Sequence, residues 1–457
     1  MGRIRLALRL GLFQLSLGLL GVLTLGLLNR LLIQDLQLPA GLVALAIGAQ
    51  ELMGVTRAWF GSWSDRIPVS SLRRTPFVLG SSLVLSLLFA LAVWVVLRLA
   101  DELQNGPQAA TTGWIVLLIL VFVGIGAAVS AGGTAFSALI IDLTGERDRP
   151  RLLSVVWSLR LGGVLFGTVL VNHVFGSACA AGDDRIDVLQ GLERLLLVVP
   201  PLLFALGLLS VVGVERPRDP SLMPDPVEIQ PLLPLMQMLN TLRSIPQASS
   251  FMAVLCLFTF SMFLNDAVLE PYGAAIFGMN ICATTALNAF FALGFLVGLL
   301  SSGFQLVPRY GMVRTSQLGA LLASTALVLM LVAAPWQQQD LLHVAVVGFG
   351  LALGICIHGC LSLMFQFVQP GMNAVLLGLW GVGYAYSRGV ATVSGGSLLT
   401  LLKTLNGGDV FAAYSGVFAL QITCFLLAAL LMNRLDVRRF RARMKSSLAE
   451  VMTLAGD

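Results

Sequence analysis

Charge is scarce in this chain. Asp, Glu, Lys and Arg make up 11% of its 457 residues, against about 25% in ordinary globular domains. Lysine is almost missing: of 28 basic residues only Lys403 and Lys445 are not arginine. The three histidines, His173, His343 and His358, are too scattered for a metal cluster. The six cysteines show no obvious pairing. Cys256, Cys282, Cys356, Cys360 and Cys424 fall in or at the edge of apolar runs, and Cys179 alone lies in a loop. Cys356 and Cys360 share a helix face, but buried apolar filler is the favoured reading over a metal site. No Walker loop, HExxH or GxSxG occurs. The glycine-rich VGIGAAVSAGG (123–133) sits inside an apolar run with no strand before it, so a nucleotide site has no support.

What is present is apolar. Hydrophobic residues make up 57% of the chain, and mean hydropathy is +0.90. A soluble fold cannot hide that much apolar surface, so the expected class is an all-α integral membrane protein. The 47 glycines suit spanning helices packed backbone to backbone. Twelve transmembrane helices are expected, at about 10–33, 40–60, 76–99, 113–141, 152–175, 192–213, 250–270, 282–306, 315–334, 342–367, 375–402 and 411–433. The first follows a basic stub without a small-residue cleavage site, so it reads as a retained helix.

The net charge of +5 follows membrane topology better than nucleic-acid binding, and no nucleic-acid partner is expected. Arginines gather in alternate loops: Arg3, Arg5 and Arg9; Arg66, Arg73 and Arg74; Arg147, Arg149 and Arg151; Arg216, Arg218 and Arg243; Arg309 and Arg314; and the tail LDVRRFRARMK. Acids mark the other side, at Asp101, Glu102, Asp183, Asp184 and Asp187. The positive-inside rule then places both termini in the cytoplasm.

Proline-rich VERPRDPSLMPDPVEIQPLLPL interrupts the apolar pattern. It suggests an N-terminal six-helix half at 1–213, a cytoplasmic linker at 214–249, a C-terminal six-helix half at 250–435 and a basic tail at 436–457. That layout is the one of the major facilitator fold. The loop GSWSDRIPVSSLRRTP (61–76) resembles that fold's loop signature through Gly61, Asp65, Arg66, Arg73 and Arg74. Its counterpart GFQLVPRYGMVRTS (303–316) keeps Gly303, Arg309, Gly311 and Arg314 but has Val307 in place of the acid. Such an acid–base loop can latch helix ends in one conformation and release them in another.

Charges inside the runs are few. The side chains that stand out are Asn29 and Arg30, Glu51 and Arg57, Asp142, Arg160, Asn265, Asp266 and Glu270, His358, and Arg388. Intramembrane charges are expensive and usually functional. Either they pair across the bundle and fix its packing, or some face a central cavity and touch a ligand. FLNDAVLEPYG (263–273) is the sharpest case, with Asp266 and Glu270 stacked one helical turn apart. Pro271 follows directly and denies a partner to the carbonyl of Ala267, so the helix should kink or end there. A broken helix at membrane depth survives only against protein or a polar cavity.

Several stretches resemble PucC-family proteins, also called the bacteriochlorophyll delivery family, within the major facilitator superfamily. They are LRLGLFQLSLGLLGVLTLGLLNRLLIQDLQLPAGLVAL (8–45), WFGSWSDR with the following RRTP, ERDRPR (146–151) and, most specifically, DAVLEPYGAAIFGM (266–279). LWGVGYAYSRG (379–389) fits more loosely. The resemblance implies a photosynthetic membrane, thylakoid or intracytoplasmic, and help in assembling light-harvesting or photosystem polypeptides. Chlorophyll or bacteriochlorophyll is then expected as cargo, with membrane lipid and pigment-synthesis enzymes as further partners. Its magnesium would favour oxygen or imidazole ligands such as Asp266, Glu270, Asn265 or His358. Pairing of Glu51 with Arg57, or of Glu270 with Arg160 or Arg388, is expected around it. Phe258, Phe260, Phe263 and Trp380 would wall the ring. No enzymatic role is expected. The alternative is a proton-coupled secondary transporter of a small amphipathic solute, with Asp266 or Glu270 as the coupling acid.

Overall fold

A computed structural model describes residues 3–57, 59–60, 63, 72, 74–105, 108–144, 149–180, 182, 185–215, 248–366 and 373–435. Gly61, Asp65, Arg66 and Arg73 of the expected latch lie outside the described residues, as do most of the central linker and the basic tail. The side chain of Trp380 does too.

The chain runs as helices α1 (Arg3–Gly21), α2 (Ala40–Leu52), α3 (Thr75–Asn105), α4 (Gln108–Leu143), α5 (Arg149–Val174) and α6 (Arg185–Val211). It continues as α7 (Ala248–Phe263), α8 (Leu269–Phe277), α9 (Ile281–Ser301), α10 (Met312–Ala333), α11 (Gln339–Gln366), α12 (Asn373–Leu405) and α13 (Val410–Met432). Each expected apolar run overlaps a helix among the described residues, and the seventh, 250–270, is interrupted at 264–268. Nine described helices are long and apolar enough to cross a membrane. The second and seventh runs form shorter apolar helices, Ala40–Thr56 and Ser249–Phe263. The seventh is short because it breaks: α7 ends at Phe263, before the expected end near residue 270, and α8 begins at Leu269. α12 carries Arg388 near its middle.

Buried apolar side chains form two clusters. One draws on α1–α6, with Ile281 of α9 joining it. The other draws on α7–α13, joined by Ala40 and Ala44 of α2. The seam between them is closed by α2 against α12 and α5 against α9. Side chains on the outer faces remain apolar, such as Leu197, Val169, Phe304 and Leu430, as lipid contact requires.

Glycine sets how closely α1 and α5 approach. A Cβ on Gly18 would strike the carbonyl of Arg160, and one on Gly163 would strike the carbonyl of Leu15. Only hydrogen fits at these positions, and close backbone approach is how helices gain van der Waals contact within a bilayer. The same approach places Arg160 at a defined height beside α1.

α1 does not end at Gly21. It runs on through π-helical turns at Val22–Leu28 and Leu31–Asp35. Such turns widen the helix locally and often mark functional positions. Here they present Gly26, Asn29 and Arg30 to the broken helix.

Candidate functional site

Asp266 and Glu270 do not stack. Residues 264–268 leave the helix before Pro271 is reached. α8 begins at Leu269, so Pro271 occupies its first turn, where a missing N–H goes unneeded. The break therefore lies one turn earlier than the proline suggested. The carbonyl of Ala267 does lack a helical donor, and Asn29 Nδ2 fills that role at 3.2 Å. One turn along, Gln34 Nε2 donates to the carbonyl of Pro271 at 3.2 Å. Arg30 pairs with Asp35 at 2.9 Å and donates to the carbonyl of Met279 at 3.5 Å. The widened end of α1 thus supplies the donors that the broken helix lacks.

The break sends the two acids to separate partners. Asp266 joins Arg388 Nη2 of α12 at 3.5 Å. Arg388 Nε meets Glu51 of α2 at 3.1 Å. One guanidinium therefore serves two carboxylates, one from each apolar cluster. The guanidinium carbon also lies 4.4 Å from the centroid of the Phe263 ring, and Phe263 meets Tyr384 edge to face at 5.7 Å. The cation is held by charge on two sides and by a π face on a third.

Glu270 is 3% exposed. Asn288 of α9 donates to its Oε1, while Oε2 has no hydrogen-bond partner among the described residues. Gly26 packs directly against the carboxylate. The expected pairings are therefore revised. Glu51 meets Arg388 and not Arg57, because Arg57 lies beyond the 3-10 turn Met53–Thr56, where it is exposed and forms no ion pair among the described residues. Glu270 meets neither Arg160 nor Arg388, because its partner is the Asn288 amide.

Arg160 projects from α5, donates to Gln14 Oε1 at 3.3 Å and lies 5.7 Å from the Trp157 ring. Asn265 sits inside the break, buried, with Oδ1 unpartnered among the described residues. His358 is elsewhere: its Nδ1 lies 3.2 Å from Ser302 Oγ, a bond between α11 and the end of α9. Phe258 is buried in the core, and Phe263 touches the charged network. Among the described residues no three His, Cys, Asp or Glu side chains gather as a metal-ligating group.

Of the loop residues, Arg74 is described. Its Nε lies 3.4 Å from Asp142 at the end of α4. The backbone N–H groups of Arg74 and Thr75 donate to the Glu215 carboxylate, the latter at 2.8 Å. The start of α3 is thereby tied to the ends of α4 and α6.

At the opposite end, Cys179 and Cys282 form a disulfide. It joins the short helix Gly176–Ala180 after α5 to the start of α9, and so links the chain before residues 216–247 to the chain after them. Asn280 reinforces it by donating to the Cys179 carbonyl at 3.0 Å. Gly41 N donates to Thr400 Oγ1 at 2.8 Å, joining α2 to α12. Sequence reasoning missed this disulfide, though both cysteines stand at helix ends facing the acid-bearing side. It also missed Asn288, Gln14 and Tyr384, whose polar atoms look like ordinary helix content in an apolar run.

Comparison with known proteins places the chain. It matches the family described as PUCC protein over residues 27–440. It is 30% identical to the bacteriochlorophyll synthase 44.5 kDa chain of Rhodobacter capsulatus, covering 96% of this chain and 97% of that one. It is 28% identical to protein PucC of Cereibacter sphaeroides, covering 95% and 94%. Among solved structures, it resembles a bacterial homologue of the human lysosomal transporter spinster in an inward-facing, unoccupied conformation. The TM-score is 0.68 at 14% identity, over 97% of this chain and 98% of that one. It also resembles a D-xylose–proton symporter, with TM-score 0.64 at 12% identity over 94% and 96%. At that identity the likeness speaks for the fold, which is the one of major facilitator transporters.

Proposed function

The chain belongs to the PUCC protein family, and on that premise we propose that it is a non-enzymatic assembly factor of photosynthetic membranes. It holds or delivers chlorophyll or bacteriochlorophyll while light-harvesting or photosystem polypeptides fold around the pigment. It works as two six-helix halves, 1–213 and 250–435, joined by the linker 214–249, with both termini and the tail 436–457 in the cytoplasm. The observation that carries this reading is the kinship with proteins named PucC and bacteriochlorophyll synthase chain.

The site's chemistry supports it. The Arg388 network lies on the seam between the clusters, bordered by Phe263 and Tyr384. A flat apolar ring with polar edges suits such a border. Asp266, with its side chain 25% exposed, has an open side for a magnesium-bearing ring. Glu270 does not, since Gly26 and Asn288 close it in.

Transport is the second reading, and the fold's likeness to a proton symporter together with two intramembrane carboxylates favours it. The Cys179–Cys282 bond weighs against it. Alternating access needs both ends to open, and a covalent bond between α9 and the short helix after α5 restrains one end while it stands.

The test is to purify the protein gently from its native membrane, record its absorption spectrum and identify the copurifying pigments and chains. A red band in stoichiometric yield with antenna or photosystem polypeptides is the expected result. A colourless, solitary protein that takes up solute into liposomes in step with a proton gradient would replace it with the transporter.

A further inference from the structure

A groove stands open between α3 and α4, beside the end of the second apolar run. Its volume of about 440 Å³ is within the range of small-molecule sites. It is bordered by Phe60 and Trp63, by Gly80 and Leu88 of α3, and by Gly124 and Ala131 of α4. The two helices touch at Gly132, where a Cβ would strike Ser81 Oγ. One residue away, a Cβ on Gly80 would meet nothing within 4 Å. Small side chains therefore leave a space here that the protein itself does not fill.

The lining decides what could fill it. It includes no Asp, Glu, Asn, Gln or His, and its one hydroxyl, Ser81 Oγ, donates to the Val78 carbonyl at 2.9 Å. A magnesium-bearing ring asks for an oxygen or imidazole ligand, and no carboxylate, amide or imidazole side chain lines the groove. A partner helix does not fit either. The lining on α3 runs from Pro76 to Leu88, about 18 Å of helix axis. That length of a helix about 10 Å across would fill roughly 1,400 Å³. A hydrocarbon chain needs neither polar partners nor that width, and the bilayer supplies it.

The open end favours a particular headgroup. The Trp59 ring packs on Trp63 at 4.3 Å and on Phe60 at 5.0 Å. Trp59 and Trp63 remain 49% and 42% exposed. Clustered, half-exposed tryptophan suits the level where acyl chains meet headgroups. Arg57 precedes Phe60 by three residues, about one helical turn. It is exposed and forms no ion pair among the described residues. An arginine at that level attracts anionic lipid.

We propose that the α3–α4 groove holds one acyl chain of an anionic phospholipid, with the phosphate at Arg57 and the Trp59 and Trp63 rings beside the glycerol. This site is separate from the Arg388 network and does not rest on the pigment reading.

The test is native mass spectrometry of the full chain in detergent, incubated with equal amounts of phosphatidylglycerol and phosphatidylcholine. One phosphatidylglycerol per chain is expected to stay bound, favoured about fivefold, as a single arginine near a headgroup would give. Gly80→Leu fills the groove and should release the lipid. Arg57→Gln should keep a lipid but lose the preference. A second measurement covers the case in which Gly80→Leu fails to fold. One equivalent of phosphatidylglycerol brominated on its acyl chains should quench the tryptophan fluorescence of the unaltered protein, and Trp63→Phe should remove most of that quenching. No retained lipid, equal retention of the two lipids by the unaltered protein, retention unchanged by Gly80→Leu, or quenching unchanged by Trp63→Phe each overturns the inference. Retention of a prenyl-tailed pigment in place of phospholipid, lost in Gly80→Leu, also overturns it and gives the groove to the pigment's tail.

Discussion

Asp266 and Glu270 are four residues apart, yet they reach different helices: Asp266 meets Arg388 of α12, and Glu270 meets Asn288 of α9. The turn at residues 264–268 makes the difference. In an unbroken helix both carboxylates would share one face and repel each other. Broken, the segment binds two neighbours at once. The seventh span is therefore a junction, and its weak points can be tested one at a time.

Arg388 should tolerate losing either carboxylate but not both. Asp266→Asn and Glu51→Gln are each expected to lower thermal stability only slightly, because the guanidinium keeps one anion. The double variant strands a buried cation, with a loss of about 3–5 kcal/mol. Unfolding of the four proteins in detergent would read this as strong non-additivity. Two additive single effects would mean that Arg388 has another partner.

Glu270 is expected to act through shape and hydrogen bonding. Glu270→Gln keeps an acceptor for Asn288 and should fold normally. Glu270→Leu strands the Asn288 amide, and Gly26→Val pushes into the carboxylate, so each should cost roughly 1–3 kcal/mol. Melting temperatures in one detergent compare all three directly. A Gln variant as unstable as the Leu variant would show that the negative charge itself is required.

Asn29 replaces the helical bond that Pro271 removes. Asn29→Ala should leave the Ala267 carbonyl unsatisfied and lower stability by about 1 kcal/mol, the usual scale of an interhelical hydrogen bond in a membrane. Pro271→Ala restores an N–H four residues along, so the double variant should recover part of that loss. Equal stability of Asn29→Ala with and without Pro271→Ala would show that the restored N–H does not reach the carbonyl.

The Cys179–Cys282 bond should hold the two parts of the chain together when the backbone is cut between them. With a protease site placed between residues 216 and 247, the cleaved protein is expected to migrate as one species without reductant and as two with it. Cys282→Ser should give two species under both conditions. If a transport activity exists, it should rise on reduction, because the end opposite the arginine-rich loops is then free to open.

Much of this protein was legible from its residues. The long apolar runs, the short arginine-bearing turns and the proline-rich interruption determined a helical membrane protein, because a bilayer admits little else at that hydropathy. The polar residues that would matter were visible too, since a charge inside an apolar run stands out and DAVLEPYG concentrates several. Even the orphaned Ala267 carbonyl followed from Pro271, a purely local effect of a missing N–H.

Partner choice was not legible. Glu51 has Arg57 six residues away in sequence but bonds Arg388, 337 positions along, because α2 packs on α12. Glu270 finds an amide, and Cys179 finds Cys282 across 103 residues. Local spacing determines what a helix offers on each face. Which face meets which depends on how all the helices pack, and that only the tertiary structure decided: a side chain in a bilayer takes its hydrogen bonds from whatever helix is brought within about 3 Å.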